Sequence, residues 1–358
     1  MSIIAVVAGG QFGSEGKGHV AAQEIAQAIG DDRTVLNVRV AGPNAGHTVI
    51  DEAGVAYPLR TIPVGAAVDN RVVCAISPGS EIDPPVLFSE LDLLRQGGHK
   101  VDLRVSTEAT ILTPEHKEQE SAGHLTDRLG STGKGIGACR ADRIWRTATR
   151  VGDDQELVNS LRAAGVTLVT DWVSFIDGWT SSYSTEIVIE GTQGYGLGLH
   201  SGYYPQCTSS DTRAIDFLAM AGVNPVGYDV EDYFVLLCCR VYPIRVAGNS
   251  GPLKGETSWE ELGLAAERTT VTHKIRRVGN WDADLVAQAV KANGGPGVVR
   301  LALTMADQKV PEIERMSGAL IPAMNAYSGL ADLVGDVEFS ANARVAVVTT
   351  SPSTCLWR

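Results

Sequence analysis

Positive charge is scarce in this chain. Thirty lysines and arginines stand against 42 aspartates and glutamates in 358 residues, a formal net charge of −12. A broad nucleic-acid surface needs clustered cations, so that class of partner is excluded, and any phosphate must be held by local loops. Long apolar runs are missing too: none approaches the roughly 20 residues that span a bilayer, which argues against a membrane partner. The first apolar run starts at Ile3 and lacks a basic leader, so a cytoplasmic protein is expected. The six cysteines (Cys74, Cys139, Cys207, Cys238, Cys239 and Cys355) lack zinc spacing and are expected to be reduced thiols. Aromatics are only 6% of residues, whereas glycine occurs 39 times. That balance suits a sheet enzyme with many functional turns, and the length allows one large α/β domain or two smaller ones.

Strand and helix signals alternate along the chain. Ile3 to Ala8 reads as a buried strand, followed by a glycine turn and a helix from Lys17 to Gln27. Further strands are expected at 35–40, 72–76, 186–190, 234–245, 297–303 and 344–350. Helices are expected at 84–96, 114–129, 155–164 and 284–292. Interleaving of this kind predicts a mainly parallel sheet with function at the strand ends. No repeat or convincing linker interrupts it. The expected organisation is a single domain, 1–358, with a helical elaboration at about 84–179.

Five loops carry the chemistry. Gly13-Ser14-Glu15-Gly16-Lys17-Gly18-His19 follows the first strand, where free N–H groups, a helix N-terminus and a lysine suit a phosphate. It is not a Walker A motif. In Gly42-Pro43-Asn44-Ala45-Gly46-His47-Thr48, small residues let a ligand approach His47, whose ring suits proton donation at an oxygen. Gly130 to Gly137 adds the hydroxyls of Ser131 and Thr132 and the cation of Lys134, with Arg140, Arg143 and Arg146 downstream. In Glu190-Gly191-Thr192-Gln193-Gly194, the Gln193 amide can read a base edge, and Thr208 beyond it can hold a phosphate. Thr269 to Arg277 gathers hydroxyls and three cations, a set suited to a dicarboxylate or a phosphate.

In this order, the segments GQFGSEGKG, GPNAGHT, GSTGKGIG, EGTQGYGLGL through TSSDT, and RVYPIRVAGNSGP resemble adenylosuccinate synthetase over nearly the whole chain. The resemblance implies an α/β, P-loop-NTPase-like fold with a mainly parallel central sheet and helices on both faces. It implies a C–N ligase that joins a nucleoside monophosphate to L-aspartate, driven by a nucleoside triphosphate and Mg2+. The purine 6-oxygen is phosphorylated first, and the aspartate amine then displaces that phosphate. Residue by residue, the resemblance places Gly13, Glu15, Gly16, Lys17, Gly18, Thr48 and Asp307 at the triphosphate. Ser14, Lys17, His47 and Gln193 take catalytic positions, with Gly46 and Ser14 toward magnesium. Ser14, Asn44, Ala45, Ser131, Thr132, Arg146, Gln193, Leu197, Thr208 and Val246 line the monophosphate site. Arg146 reaches in from the partner of a homodimer, and Thr272, Lys274 and Arg276 hold aspartate.

Three departures refine that expectation. Ser14 stands where the family usually has the carboxylate that takes a proton from ring nitrogen 1 of inosinate. A serine hydroxyl is too weak an acid for that work and a poorer magnesium ligand, but it leaves room beside the 2-amino group of guanine. Phage enzymes that make 2-aminoadenine nucleotides resemble the family with this same loss and use deoxyguanylate. Lys274 replaces an arginine that contacts the ribose 2′-hydroxyl, which suits a deoxynucleotide. Met305 replaces the lysine of the guanine-reading motif while Asp307 remains, so ATP or dATP is expected as donor ahead of GTP. The leading expectation is a ligase for dGMP and aspartate. An ordinary IMP- and GTP-using synthetase is the alternative, and a silent nucleotide-binding protein is a third.

Overall fold

The computed structural model describes residues 1–227, 229–268 and 274–358. Among them is an eleven-stranded sheet. In chain order its strands are β1 (Ser2–Gly9), β2 (Thr34–Arg39), β3 (Val73–Ile76), β4 (Asp102–Ser106), β5 (Thr167–Val169), β6 (Thr185–Glu190), β7 (Val230–Arg240), β8 (Val299–Thr304), β9 (Gly318–Ala319), β10 (Arg344–Thr349) and β11 (Cys355–Trp357). Across the sheet they run β9-β11-β10-β8-β7-β1-β6-β2-β3-β4-β5. Every pairing from β10 to β5 is parallel, and β11 alone turns antiparallel against β10.

Alternation along β1 explains why the sheet is covered on both faces. Ile4, Val6 and Ala8 enter one core, with Phe217, Val286 and Val334 from the helices Ala214–Ala221, Ala283–Ala292 and Ser328–Ala341. Ala5 and Val7 enter the other, with Ile25 of α1 (Lys17–Gly30), Leu87, Leu91 and Leu161. Buried on both faces, these strands read as continuous apolar runs. Each fully buried Ile or Leu side chain contributes about 1.5–3 kcal/mol. The expected parallel α/β sheet with two helical layers is what the chain forms.

Some elements differ from the expectation. The single helix expected over 114–129 is two, Pro114–Ala122 and Leu125–Leu129, because His124 takes a left-handed turn (φ 51°) that no α-helix continues. The long strand expected to Arg245 stops at Arg240, and Ile244–Arg245 joins a separate three-stranded sheet. The segment 84–179 holds six helices and also supplies β4 and β5 at the edge of the sheet. All six cysteines are free thiols, and burial pushes those of Cys139 and Cys355 up to about 12 and about 11.

Candidate active site

Five neighbouring strands, β8-β7-β1-β6-β2, end at one edge of the sheet, and their C-terminal residues are Thr304, Arg240, Gly9, Glu190 and Arg39. Loops beyond carboxyl ends of parallel strands are where α/β proteins bind ligands. The first of these loops is held before any ligand arrives. Glu15, fully buried, accepts from Gln11 N (3.2 Å) and Gly13 N (2.7 Å) through Oε1. Its other oxygen accepts from Lys17 Nζ at 2.6 Å, and Lys17 also donates to the Gln193 carbonyl. The Gln11 amide exchanges two bonds with the Arg240 backbone, at 3.0 and 2.9 Å, fastening the loop to β7. A Cβ on Gly194 would lie 2.3 Å from Glu15 Oε1, so only glycine lets the 190–194 loop close over this carboxylate. α1 starts from Gly16 at φ 73° with no side-chain cap, leaving its first N–H groups directed toward the loop.

His47 begins a short strand, His47–Ile50, rather than sitting at a free loop tip. Its Nδ1 lies 2.7 Å from Glu190 Oε2, and Arg39 Nη1 contacts both that nitrogen and, at 3.1 Å, the same carboxylate. Arg39 Nη2 donates to the Ala45 carbonyl at 2.9 Å, and Val64 N donates to Glu190 Oε1 at 2.7 Å. Burial first, and then the Arg39 charge, push the His47 ring down to about 4, so it is neutral at physiological pH. Burial works against the Glu190 charge, yet the His47 bond and Arg39 outweigh it and hold that carboxyl below its ordinary value. The buried His47 Nε2 has no hydrogen-bond partner. A buried polar atom left open in a ring fixed on its other side is a group awaiting a ligand. A Cβ on Gly18 would fall 2.6 Å from His47 Cβ, so the helix start and the histidine pack directly together.

The remaining loops converge from the sides. Ile136 approaches Gly42, and Gly130 lies against Val246 and Ser250. Ser209, beside Thr208, faces Gly137, and Thr208 N donates to the Leu197 carbonyl at 2.7 Å. Leu197 Cδ1 would be 3.6 Å from a Cβ on Gly13. Gly13, Asn44, Ser131, Thr132, Leu197, Thr208 and Val246 therefore belong to loops that touch one another. Asn44 and Ala45 are half-buried, and Gly46 and Thr48 are exposed. Glu120 accepts from Ser131 Oγ and Gly135 N, which fixes the fold of the 130–137 loop. Arg146 is exposed, next to the exposed Ile144 and Trp145.

On the other side, Arg276 Nη1 donates to Ser14 Oγ at 2.6 Å. Lys274 is exposed. Thr272 lies outside the described residues. Asp307 sits in a single turn after β8, half-buried, with burial raising its carboxyl pKa. Among the described residues nine non-glycine positions take left-handed backbone, and four of them were singled out by motif: Ser14 (φ 58°), Gln193 (φ 57°), Met305 (φ 56°) and Arg146 (φ 65°).

Sequence reasoning gave no role to Glu190, the first residue of the fourth loop, and passed over Arg39, Arg240, Glu267 and Glu120. For three of them a signal existed. Arg39, Glu190 and Arg240 each end an apolar strand, and a charge in a doubly covered strand requires a buried partner. Glu267 and Glu120 carry no comparable mark.

A parallel α/β sheet whose strand-end loops gather a buried lysine at an uncapped helix N-terminus, a histidine with an open ring nitrogen and Arg276 has the arrangement of an enzyme that handles phosphate. The comparisons specify the class. The adenylosuccinate synthetase family model matches residues 6–165 and 155–314. Adenylosuccinate synthetase of Pyrococcus sp. (strain ST700) is 34% identical over 307 residues, covering 85% of this chain and 84% of that protein. The Thermococcus sibiricus enzyme is 32% identical over 351 residues, covering 97% and 95%. Among solved structures, the succinoaminodeoxyadenylate synthetase (PurZ) of cyanophage S-2L, bound to dGMP and to dATP as an energy donor, superposes with TM-score 0.79. It shares 30% identity and covers 100% of this chain and 95% of its own. The fully ligated Plasmodium falciparum adenylosuccinate synthetase has the same TM-score at 18% identity, a likeness of fold. The chain belongs to the adenylosuccinate synthetase family and is a C–N bond-forming ligase. Among the described residues no helix is long and apolar enough to cross a membrane.

Proposed function

We propose that this ligase joins dGMP to L-aspartate with ATP or dATP as phosphoryl donor, giving the N6-succinyl precursor of a 2-aminoadenine nucleotide. The observation that carries the reading is Ser14: a small neutral hydroxyl, bonded to Arg276, stands where the family's carboxylate would meet the purine. The full-length likeness to a cyanophage enzyme bound to dGMP and dATP supports it.

In this reading the 6-oxygen of guanine attacks the donor's terminal phosphorus, forming the P–O6 bond as the bond to the leaving diphosphate breaks and the ring N1 proton passes to water. The aspartate amine then forms the C6–N bond, giving one proton to the phosphate that departs with O6. Lys17 and the open N–H groups of Glu15, Gly16 and Gly18 face the transferring phosphoryl group, beside Thr48, and Asp307 lies toward the donor base. His47 meets the 6-oxygen through Nε2 while Glu190 steadies Nδ1. Gln193 reads the base edge. Asn44, Ala45, Ser131, Thr132, Leu197, Thr208 and Val246 surround the monophosphate, and Thr272, Lys274 and Arg276 take the aspartate carboxylates.

Magnesium fits as a companion of the triphosphate. Among the described residues no cluster of three His, Cys, Asp or Glu offers a cage, and Glu15 is committed to its own loop. The ion would be held by phosphate oxygens with the Gly46 carbonyl. The Ser14 hydroxyl, against a guanidinium, is the weaker of the two protein oxygens. When bound, the ion offsets the charge of the phosphates. We assign the protein to a homodimer in which Arg146 crosses to its partner's monophosphate; the exposed Ile144 and Trp145 beside it, 73% and 75% accessible, supply an apolar contact.

Purified protein with aspartate and magnesium, offered dGMP, GMP or IMP with ATP, dATP or GTP, tests the reading by phosphate release. Turnover with dGMP and an adenine donor is expected. Turnover with IMP and not dGMP would sink it in favour of ordinary adenylosuccinate synthesis, which the 34% identity to an archaeal enzyme favours. Ser14→Asp is expected to impair dGMP use; unchanged dGMP kinetics would remove Ser14 from specificity.

A further inference from the structure

Four residues close a ring of contacts between the phosphate loop and the arm that carries Arg276. Arg240, 1% exposed at the end of β7, donates to the Ser14 carbonyl at 3.3 Å and forks onto both oxygens of Glu267. The Glu267 backbone carbonyl accepts from Arg276 N at 2.9 Å, and Arg268 bridges Ile275 across the same stem. Trp259 Nε1 donates to the Arg276 carbonyl at 2.7 Å. Arg276 closes the ring by donating to Ser14 Oγ. Among the described residues no carboxylate sits on the Arg276 fork: its stem is pinned by the Arg240–Glu267 ion pair, its Nε donates to the Arg268 carbonyl at the long distance of 3.4 Å, and its Nη1 rests on a neutral hydroxyl at 2.6 Å.

We propose that Arg240 and Glu267 are positioning residues for the amino acid, and that Ser14 is the latch that aims Arg276. A hydroxyl suits this task because it orients the guanidinium without neutralising it, leaving its charge for an incoming carboxylate. Ser14 thus serves the amino acid as well as the purine, and the Gln11–Arg240 bonds carry the same ring to the base of the phosphate loop. The inference rests on the reading that Arg276 receives a carboxylate of aspartate.

Steady-state kinetics of Ser14→Ala, Glu267→Gln and the double variant test it, with whichever nucleotide pair the wild type turns over. Calorimetric titration of L-aspartate into monophosphate-saturated protein reads the same effect without turnover. Each single variant is expected to weaken aspartate binding and raise its KM about tenfold, the loss of one hydrogen bond to a charged group. For Glu267→Gln, which lies outside the nucleotide sites, the KM values of both nucleotides are expected to stay within about twofold, and the aspartate KM of the double variant is expected to be no worse than that of Glu267→Gln, since both changes release one side chain. Additive effects on aspartate, an unchanged aspartate KM, or three KM values rising together in Glu267→Gln would overturn the latch. A wild type that binds no aspartate overturns it too. A wild type that couples IMP instead of dGMP overturns only the nucleotide assignment.

Discussion

At the scale of single residues, His47 is the most constrained group in the site. Arg39 and Glu190 both meet its Nδ1, one a donor and the other an acceptor, so the ring can present either tautomer at Nε2 with little motion. His47→Asn is expected to lower kcat by about 10²–10³, the range for losing one hydrogen-bond donor at an oxygen that develops charge, with little change in nucleotide KM. Stability carries a second signature. The ring titrates at about 4 when folded and near 6.5 when unfolded, so below the latter the unfolded chain takes up a proton that the fold refuses. Its contribution is complete above about pH 6.5 and is lost toward pH 4, with a slope of up to about 1.4 kcal/mol per pH unit. Urea unfolding of wild type and His47→Asn from pH 7 to pH 4.5 measures that slope, which the variant should lack. The motif made His47 legible; Arg39 and Glu190 were visible only as charges at strand ends, because their pairing joins β2 to β6.

Elements are joined by a second buried pair away from the chemistry. Glu24 of α1 and Glu186 near the start of β6 are both buried, and burial followed by the charge of Glu24 raises the Glu186 carboxyl to about 9. Two carboxyls in one apolar layer cannot both ionise, so Glu186 keeps its proton at neutral pH. The unfolded chain loses that proton near pH 4.5, so this contribution is present below that pH and is lost as pH rises toward 9. Glu186→Gln is therefore expected to raise stability at pH 7.5 by on the order of 1–3 kcal/mol and to flatten the alkaline slope, as denaturation curves at pH 5, 7 and 8.5 will read. Element boundaries followed sequence where glycine, proline or a polar cap marked them, as at Pro84–Gln96. They departed where a single backbone turn decided, as at His124, or where tertiary pairing redirected the chain, as at Ile244–Arg245.

For the whole molecule, the assignment of Arg146 to a neighbouring subunit makes a mixing test available. Arg146→Ala is expected to raise the monophosphate KM, and His47→Asn to be nearly silent. Mixed and reassociated, hybrid dimers hold one complete site each, so activity should recover to about a quarter of wild type by random pairing. No recovery, with a dimer shown by light scattering, would place Arg146 at its own subunit's site. Trp145→Glu is expected to shift the protein toward monomer. The architecture as a whole was legible because glycine-rich turns punctuate buried strands, while β5, β9 and β11, at the two margins of the sheet, run only two or three residues and carry no such pattern.

The order of strands has one more consequence. Since β8, β7, β1, β6 and β2 all end at one edge, the opposite ends of these strands hold the buried Glu186 and the Arg300–Asp232 pair that binds β8 to β7. An engineer thus has two dials set at opposite ends of the same strands: substitutions at the strand starts are expected to tune durability, and those at the strand finishes substrate choice.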